Sequence, residues 1–227
     1  MSASRAQRSE TAPGSGGVSL RQLASPQAAA IVELRGQIVD GDLLPGAKIF
    51  PDQLARQLGL SKAPVQEALR VLEAGGEVVH RAHQGFSVVE LDREELQEIF
   101  HLRRMLENDA LRQAARRLTE MDLERLAELA VAVAAADPTD RLGQWAAEKR
   151  FFAAIFALAG SPREVRLIEQ LWGPCAPYTA RAISELDLDD GTPAAMVAAL
   201  RAADSAEAVR LLNERRKHLH DVLKRLV

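Results

Sequence analysis

Apolar residues recur with a helical period along most of the chain, and the pattern gives way to two short strand-like runs between about Glu77 and Val89. Ile31, Leu34 and Ile38 share one face of a helix running from about Pro26 to Asp40. The stretch Gly41 to Gly46 is rich in turn residues and ends it. A short helix over about Pro51 to Leu58 buries Leu54 and Leu58 and stops at Gly59. A third helix starts after Ser61, whose hydroxyl is expected to cap it, with Pro64 in the first turn. Val65, Ala68, Leu69 and Leu72 then follow at i, i+3, i+4 and i+7 and turn inward. Lys62, Ala63, Gln66 and Arg70 are left on the outer face. Two short strands, Glu77 to Arg81 and Phe86 to Val89, are joined by Ala82 to Gly85, where Gly85 is suited to a positive φ. The gap between the second and third helices suits a helix-turn-helix, and the hairpin suits a wing beside it.

From Asp92 onward the pattern is helical throughout. Asp92 to Glu95, Thr119 to Asp122, Ser161 to Glu164 and Asp204 to Glu207 each place a cap residue three positions before an acid, and Thr192-Pro193 is a further start signal. Helices are expected at about 92–117, 120–135, 140–159, 162–175, 176–186, 193–202 and 204–226. The fold class is therefore mainly α. A disordered tail spans 1–20, a winged helix-turn-helix with a β-hairpin wing spans 21–90, and a helical bundle of about six to seven helices spans 91–227.

Composition narrows the function. The single cysteine, Cys175, excludes an internal disulfide framework and fits a reducing cytoplasm. No run approaches the roughly 20 apolar residues that span a bilayer, so no membrane is expected. Cys175 has no base identifiable nearby, His80, His83 and His101 are isolated, and no glycine-rich phosphate loop or metalloprotease motif occurs, so an enzyme is not expected. The net charge is −3. Between Ser25 and Glu90, six basic residues (Arg35, Lys48, Arg56, Lys62, Arg70, Arg81) face eight acids (Glu33, Asp40, Asp42, Asp52, Glu67, Glu73, Glu77, Glu90). Motif and geometry, not charge, must carry a reading of DNA binding.

The motifs Leu44-Pro-Gly46, Gln53-Leu-Ala-Arg-Gln-Leu-Gly59, Ser61 to Leu69, Leu72-Glu-Ala-Gly-Gly76 and the wing with Gly85 resemble the GntR family of bacterial transcription regulators. Arg103-Arg-Met-Leu-Glu107, Phe151, Gly160-Ser-Pro162 and Ala198 to Asp204 resemble the FCD ligand-binding domain that follows in the FadR subfamily. The resemblance implies DNA contacts from Ser61, Lys62, Ala63, Gln66, Arg70, Arg35, His83, Gln84 and Gly85. The family's usual Arg-Thr-Pro-Val-Arg is here Lys62-Ala-Pro-Val-Gln66, so the two base-reading arginines become lysine and glutamine. Lysine reaches guanine acceptors as a point donor, and glutamine suits adenine, so a shifted operator or weaker binding is expected. Glu77 stands where the family usually has an apolar residue.

Three helices of the C-terminal half carry charges inside their apolar stripes: Arg103 and Glu107 in 92–117, Glu148 in 140–159, and Arg215 in 204–226, with His218 at its margin. An unpaired buried charge costs several kcal/mol. These groups therefore pair, Arg215 with Glu148 and Arg103 with Glu107, or they line a wet pocket walled by Trp145, Phe152 and Phe156. Arg103, Glu107, Trp145, Glu148, Phe152, Arg215 and His218 are the candidate effector residues. Many FCD domains hold a divalent metal on an Asp and three His. Those positions fall on Glu148, Phe152, Pro193 and Arg215, so neither a metal nor another cofactor is expected, a displaced ligand role for His218 being the open question. The metal-free branch of the subfamily implies an acyl ligand as a weaker option. The reading is a dimeric cytoplasmic regulator, a repressor in sign, that binds a double-stranded DNA operator and responds to an anionic small-molecule effector. The alternative is a helical ligand- or partner-binding module that has lost DNA binding.

Overall fold

The computed structural model describes residues 25–182 and 191–227; the tail expected over 1–20 and the end of the helix expected over 176–186 lie outside them. Helix α1 (Pro26–Asp40) opens with Ser25, whose hydroxyl accepts from the Ala28 amide at 3.1 Å, and closes at Gly41. A two-residue strand β1 (Lys48–Ile49) precedes α2 (Pro51–Leu58) and α3 (Lys62–Ala74). Ser61 does sit at the N-cap of α3, but its hydroxyl accepts no backbone bond. Pro64 occupies the third helical position, so the amide that a cap oxygen commonly receives is missing there.

Strands β2 (Val78–Arg81) and β3 (Gly85–Val88) form the wing, and β1 adds to it in the order β1-β3-β2, all antiparallel. Val78 faces Val88 and Arg81 faces Gly85, while Lys48 and Ile49 face Ser87 and Phe86. A two-residue strand is too short to leave a period in the sequence. Gly85 takes the positive φ of 79° that the hairpin tip requires, and His83 joins it at 63°.

Among the described residues, seven helices follow: α4 (Arg93–Ala115), α5 (Glu120–Ala134), α6 (Arg141–Ala157), α7 (Pro162–Trp172), α8 (Ala176–Ala182), α9 (Thr192–Arg201) and α10 (Ser205–Leu223). A short 3-10 turn, Gly173–Cys175, bends the chain between α7 and α8. Asp92 and Thr119 form complete capping boxes, and Asp204 accepts from the Glu207 amide. Ser161 makes no such bond.

Two cores result. Ala30, Leu34, Leu54, Val65, Leu69, Leu72, Val78 and Val88 fill the first, under the wing. Leu111, Leu126, Phe151, Ile155, Phe156, Met196, Ala208 and Leu212 fill the second, inside the bundle. Each fully buried Leu, Ile or Phe contributes on the order of 1.5–3 kcal/mol. The two halves touch along a seam. Helix α1 packs on α6 and α8, and the Leu91 amide donates to the Tyr178 hydroxyl at 2.7 Å. Gly173 lies so close to the end of α3 that a Cβ on it would stand 1.4 Å from the Gly75 carbonyl oxygen. Only glycine fits there.

Candidate DNA-reading helix and effector cavity

Helix α3 divides as its sequence requires. Val65, Ala68, Leu69 and Leu72 have no solvent exposure, whereas Lys62, Ala63 and Arg70 are exposed and Gln66 is half-buried. The inward stripe holds the helix against α1 and α2, so the outward groups are presented from a rigid element. His83, Gln84 and Gly85 are exposed at the wing tip, and Ser61 is exposed at the helix start. Lys62 Nζ does not point free into solvent; it pairs with Asp52 of α2 at 2.8 Å.

Arg35 is placed differently from the other candidate DNA contacts. Its Nε donates to both carboxylate oxygens of Glu77, at 3.2 and 2.9 Å, and its terminal nitrogen donates to Oε1 at 2.5 Å. Its guanidinium carbon lies 6.0 Å from the Trp145 ring centroid. Arg35 thus faces the seam with the helical bundle, where Glu77 needs a cation. The same contact explains Glu77: a carboxylate that is only 3% exposed stays buried because a guanidinium meets it.

Inside the bundle the charged stripes converge. Arg103 Nε donates to Glu107 Oε1 at 2.7 Å, Arg216 Nε donates to Oε2 at 2.8 Å, and the Trp172 indole N–H donates to Oε1 at 2.8 Å. Burial alone would raise the Glu107 carboxyl, but the two guanidiniums and these donors outweigh it, and it lies below the usual carboxylate range. Arg215 donates to Glu148 Oε1 from Nε at 2.8 Å and from a terminal nitrogen at 2.6 Å. Both ion pairs anticipated from the stripes are present, and so is a cavity of about 80 Å³ beside them. Pairing and cavity lining are not alternatives here.

The cavity brings together Arg103, Glu107, Trp145, Glu148, Phe152 and Arg215 from the sequence reading, with Phe156 in its wall. His218 is not among them and is exposed. Successive helical residues turn about 100°. Leu212, Arg215, Arg216 and Leu219 share the cavity, so its direction falls between Arg215 and Arg216, and His218 points roughly 110° away. The sequence stripe centred on Arg215 is therefore about 50° from the cavity's direction, which hides Arg216 on the other side. Lys149 was missed as well, although it stands four residues after Trp145 and three before Phe152, on the face both occupy. Trp172 at the end of α7, Cys175 in the bend and Thr179 in α8 complete the wall. Burial pushes the Cys175 thiol up to about 11, so it is un-ionised beside Arg103.

Of the four positions that hold a metal in many FCD domains, Glu148 is bound by Arg215, Phe152 offers hydrocarbon, and Pro193 is buried at the start of α9. A guanidinium on the remaining carboxylate does not fit a divalent cation. No cluster of three His, Cys, Asp or Glu suited to a metal occurs among the described residues.

A helix-turn-helix with a hairpin wing, joined to an all-helical domain, defines a winged-helix DNA-binding transcription regulator. Residues 26–88 match the family model for "Bacterial regulatory proteins, gntR family", and residues 98–219 match that for the FCD domain. The chain belongs to the GntR family, with the FadR-like arrangement of the two domains. It is 34% identical over 178 residues to the HTH-type transcriptional regulator McbR of Escherichia coli, covering 76% of this chain and 80% of that one. It is 31% identical over 170 residues to a probable D-xylose utilization operon transcriptional repressor of Paenarthrobacter nicotinovorans, covering 74% and 75%. The solved structure of E. coli McbR/YncC superposes with a TM-score of 0.74 at 28% identity, over 90% of this chain and 99% of that one. No helix of the described residues is long and apolar enough to cross a membrane.

Proposed function

We propose that the protein binds a pseudo-palindromic operator as a homodimer and releases or alters it when a small organic anion enters the cavity of the FCD domain, acting as a repressor in the bacterial cytoplasm. The contacts to bases come from Lys62, Ala63, Gln66 and Arg70, with Ser61 at the helix start and His83, Gln84 and Gly85 on flanking phosphates or the minor groove. Two recognition helices on a two-fold axis match a site with two-fold symmetry.

The observation that carries the effector reading is the charge of the cavity wall. Four cations (Arg103, Lys149, Arg215, Arg216) line it against two carboxylates, Glu107 and Glu148, each of which is already bound by arginine. Trp145, Phe152, Phe156 and Trp172 supply flat apolar surface. Such a site favours a compact anion with an apolar or aromatic body. With Arg215 on Glu148, charge is supplied by side chains and no metal or other cofactor is needed. The repressor sign follows two relatives described as operon repressors, the D-xylose one above and a gluconate operon transcriptional repressor of Bacillus subtilis.

The Lys62–Asp52 pair and the acidic local balance favour the second reading, a module without DNA affinity. Gel retardation with the promoter region beside its own gene separates the two. Salt-sensitive, specific retardation supports the operator reading, and absence of binding at low salt sinks it. Calorimetry with a panel of small carboxylates then compares wild type with Arg215→Ala. Equal affinity rules out the anion site.

A further inference from the structure

Lys149 is the one cavity cation that forms no ion pair or hydrogen bond among the described residues. Arg103 and Arg216 hold Glu107, and Arg215 holds Glu148. Lys149 Nζ lies over the Trp145 ring, 4.8 Å from its centroid, and the Arg35 guanidinium lies 6.0 Å from the same centroid. One indole therefore contacts a cation of each domain. Arg35 in turn carries Glu77, the residue that leads into the wing strand β2. A continuous contact runs from the cavity through Lys149 and Trp145 to Arg35, Glu77 and the wing. Beside it, the backbones of Gly75 and Gly173 are pressed together.

Burial first of all lowers the Lys149 ammonium from its ordinary value. Glu77 acts against that more strongly than any other charge, while Arg35 repels it. The strongest charge acting on this lysine is thus a carboxylate of the winged-helix domain, with Arg35 opposing it and Glu169 of α7 adding to it.

We propose that Lys149 is shared between the two domains, so that an anion in the cavity and the docked winged-helix domain compete for it. The inference rests on the anion reading of the cavity given above and adds how occupancy reaches the DNA-reading helix. Without ligand, Lys149 lies on Trp145 and is attracted to Glu77, and the seam is closed. An anion neutralises Lys149, the attraction across the seam falls, and the docked arrangement loses population. The reverse follows by linkage: an open seam leaves Lys149 available and raises anion affinity by the same factor.

Hydrogen exchange at peptides spanning Gly75 to Val78 and Leu171 to Cys175 reads the seam in the full chain, and peptides from the middle of α3 serve as the unaffected reference. Without ligand, Lys149→Met is expected to raise seam exchange about tenfold, within the usual range of coupling. Lys149→Arg, which keeps the charge, is expected to stay near wild type. Equal seam exchange in wild type and Lys149→Met overturns the proposal; a rise that also appears in mid-α3 marks general unfolding and overturns it too. Acetate, succinate and benzoate are then titrated by calorimetry, and exchange is repeated at saturation. A carboxylate that binds and opens the seam supports the mechanism. One that binds and leaves the seam closed overturns it while the anion site stands. If none binds but Lys149→Met opens the seam, the anion reading fails and the docking role of Lys149 stands.

Discussion

Arg35 and Glu77, 42 residues apart in sequence, form a multidentate ion pair at the seam between the two domains, with Glu77 almost without solvent. The pair turns a carboxylate in an apolar position from a liability into a contact between α1 and the base of the wing.

Removing one partner strands the other. Arg35→Ala leaves the Glu77 carboxylate buried without a counter-charge and is expected to lower stability by about 3 kcal/mol. The double change Arg35→Met with Glu77→Leu is expected to recover most of that loss, because an apolar pair of similar volume needs no desolvated charge. Urea denaturation of the two variants against wild type decides it; a double variant as unstable as the single one contradicts the pairing argument.

Acid should weaken the bundle through Glu107. Its folded carboxyl lies below the ordinary value of 4.5, burial being outweighed by Arg103, Arg216 and the Trp172 donor. A depressed folded value stabilises at pH above the unfolded one, and that stabilisation drains away as pH falls through the folded value. The urea midpoint should therefore be flat from pH 7 to about 5 and fall below about 4.5. Glu107→Gln should lose stability at pH 7 and show a shallower fall in acid.

Asp52 holds Lys62 at 2.8 Å on an exposed surface, the two side chains being 62% and 53% exposed. On the proposed reading, DNA phosphate and base acceptors displace it. An exposed pair of this kind is worth about 0–1 kcal/mol. Asp52→Asn removes both the competition and one negative charge, so DNA affinity should rise by up to about fivefold at low salt, with the gain shrinking as salt rises. Fluorescence anisotropy at two salt concentrations measures it; unchanged affinity means Lys62 does not reach the DNA.

Gly173→Ala tests the seam itself. Its Cβ would meet the Gly75 carbonyl oxygen, and backbone has no rotamer to escape into. The winged-helix and helical domains should separate at that point, with both cores left intact. Scanning calorimetry is expected to show one transition in wild type and a broadened or split one in the variant, with far-ultraviolet circular dichroism at 20 °C unchanged.

Much of the fold was legible because it is written locally. The α1 and α2 boundaries, the α3 stripe, the hairpin with Gly85 and the capped starts of α4, α5 and α10 all follow from neighbours within a turn or two. The candidate cavity was half legible. A charge inside an apolar stripe marks a buried polar centre, which found Arg103, Glu107, Glu148 and Arg215. It does not give the direction of a helix to better than a residue, so Arg216 was overlooked for His218 and Lys149 was not singled out.

The sequence by itself determined where helices begin and end, which face of each is apolar, and which family the chain belongs to. The tertiary structure alone decided which further partners join the pairs the stripes suggest. It put Arg35 on Glu77, gave Glu107 to Arg103, Arg216 and Trp172 together, and laid Trp145 between cations of two domains. Helix and turn signals act over a few residues along the chain. Ion pairs and cavity walls are set by the rotation and approach of helices far apart in sequence, and no local pattern encodes that.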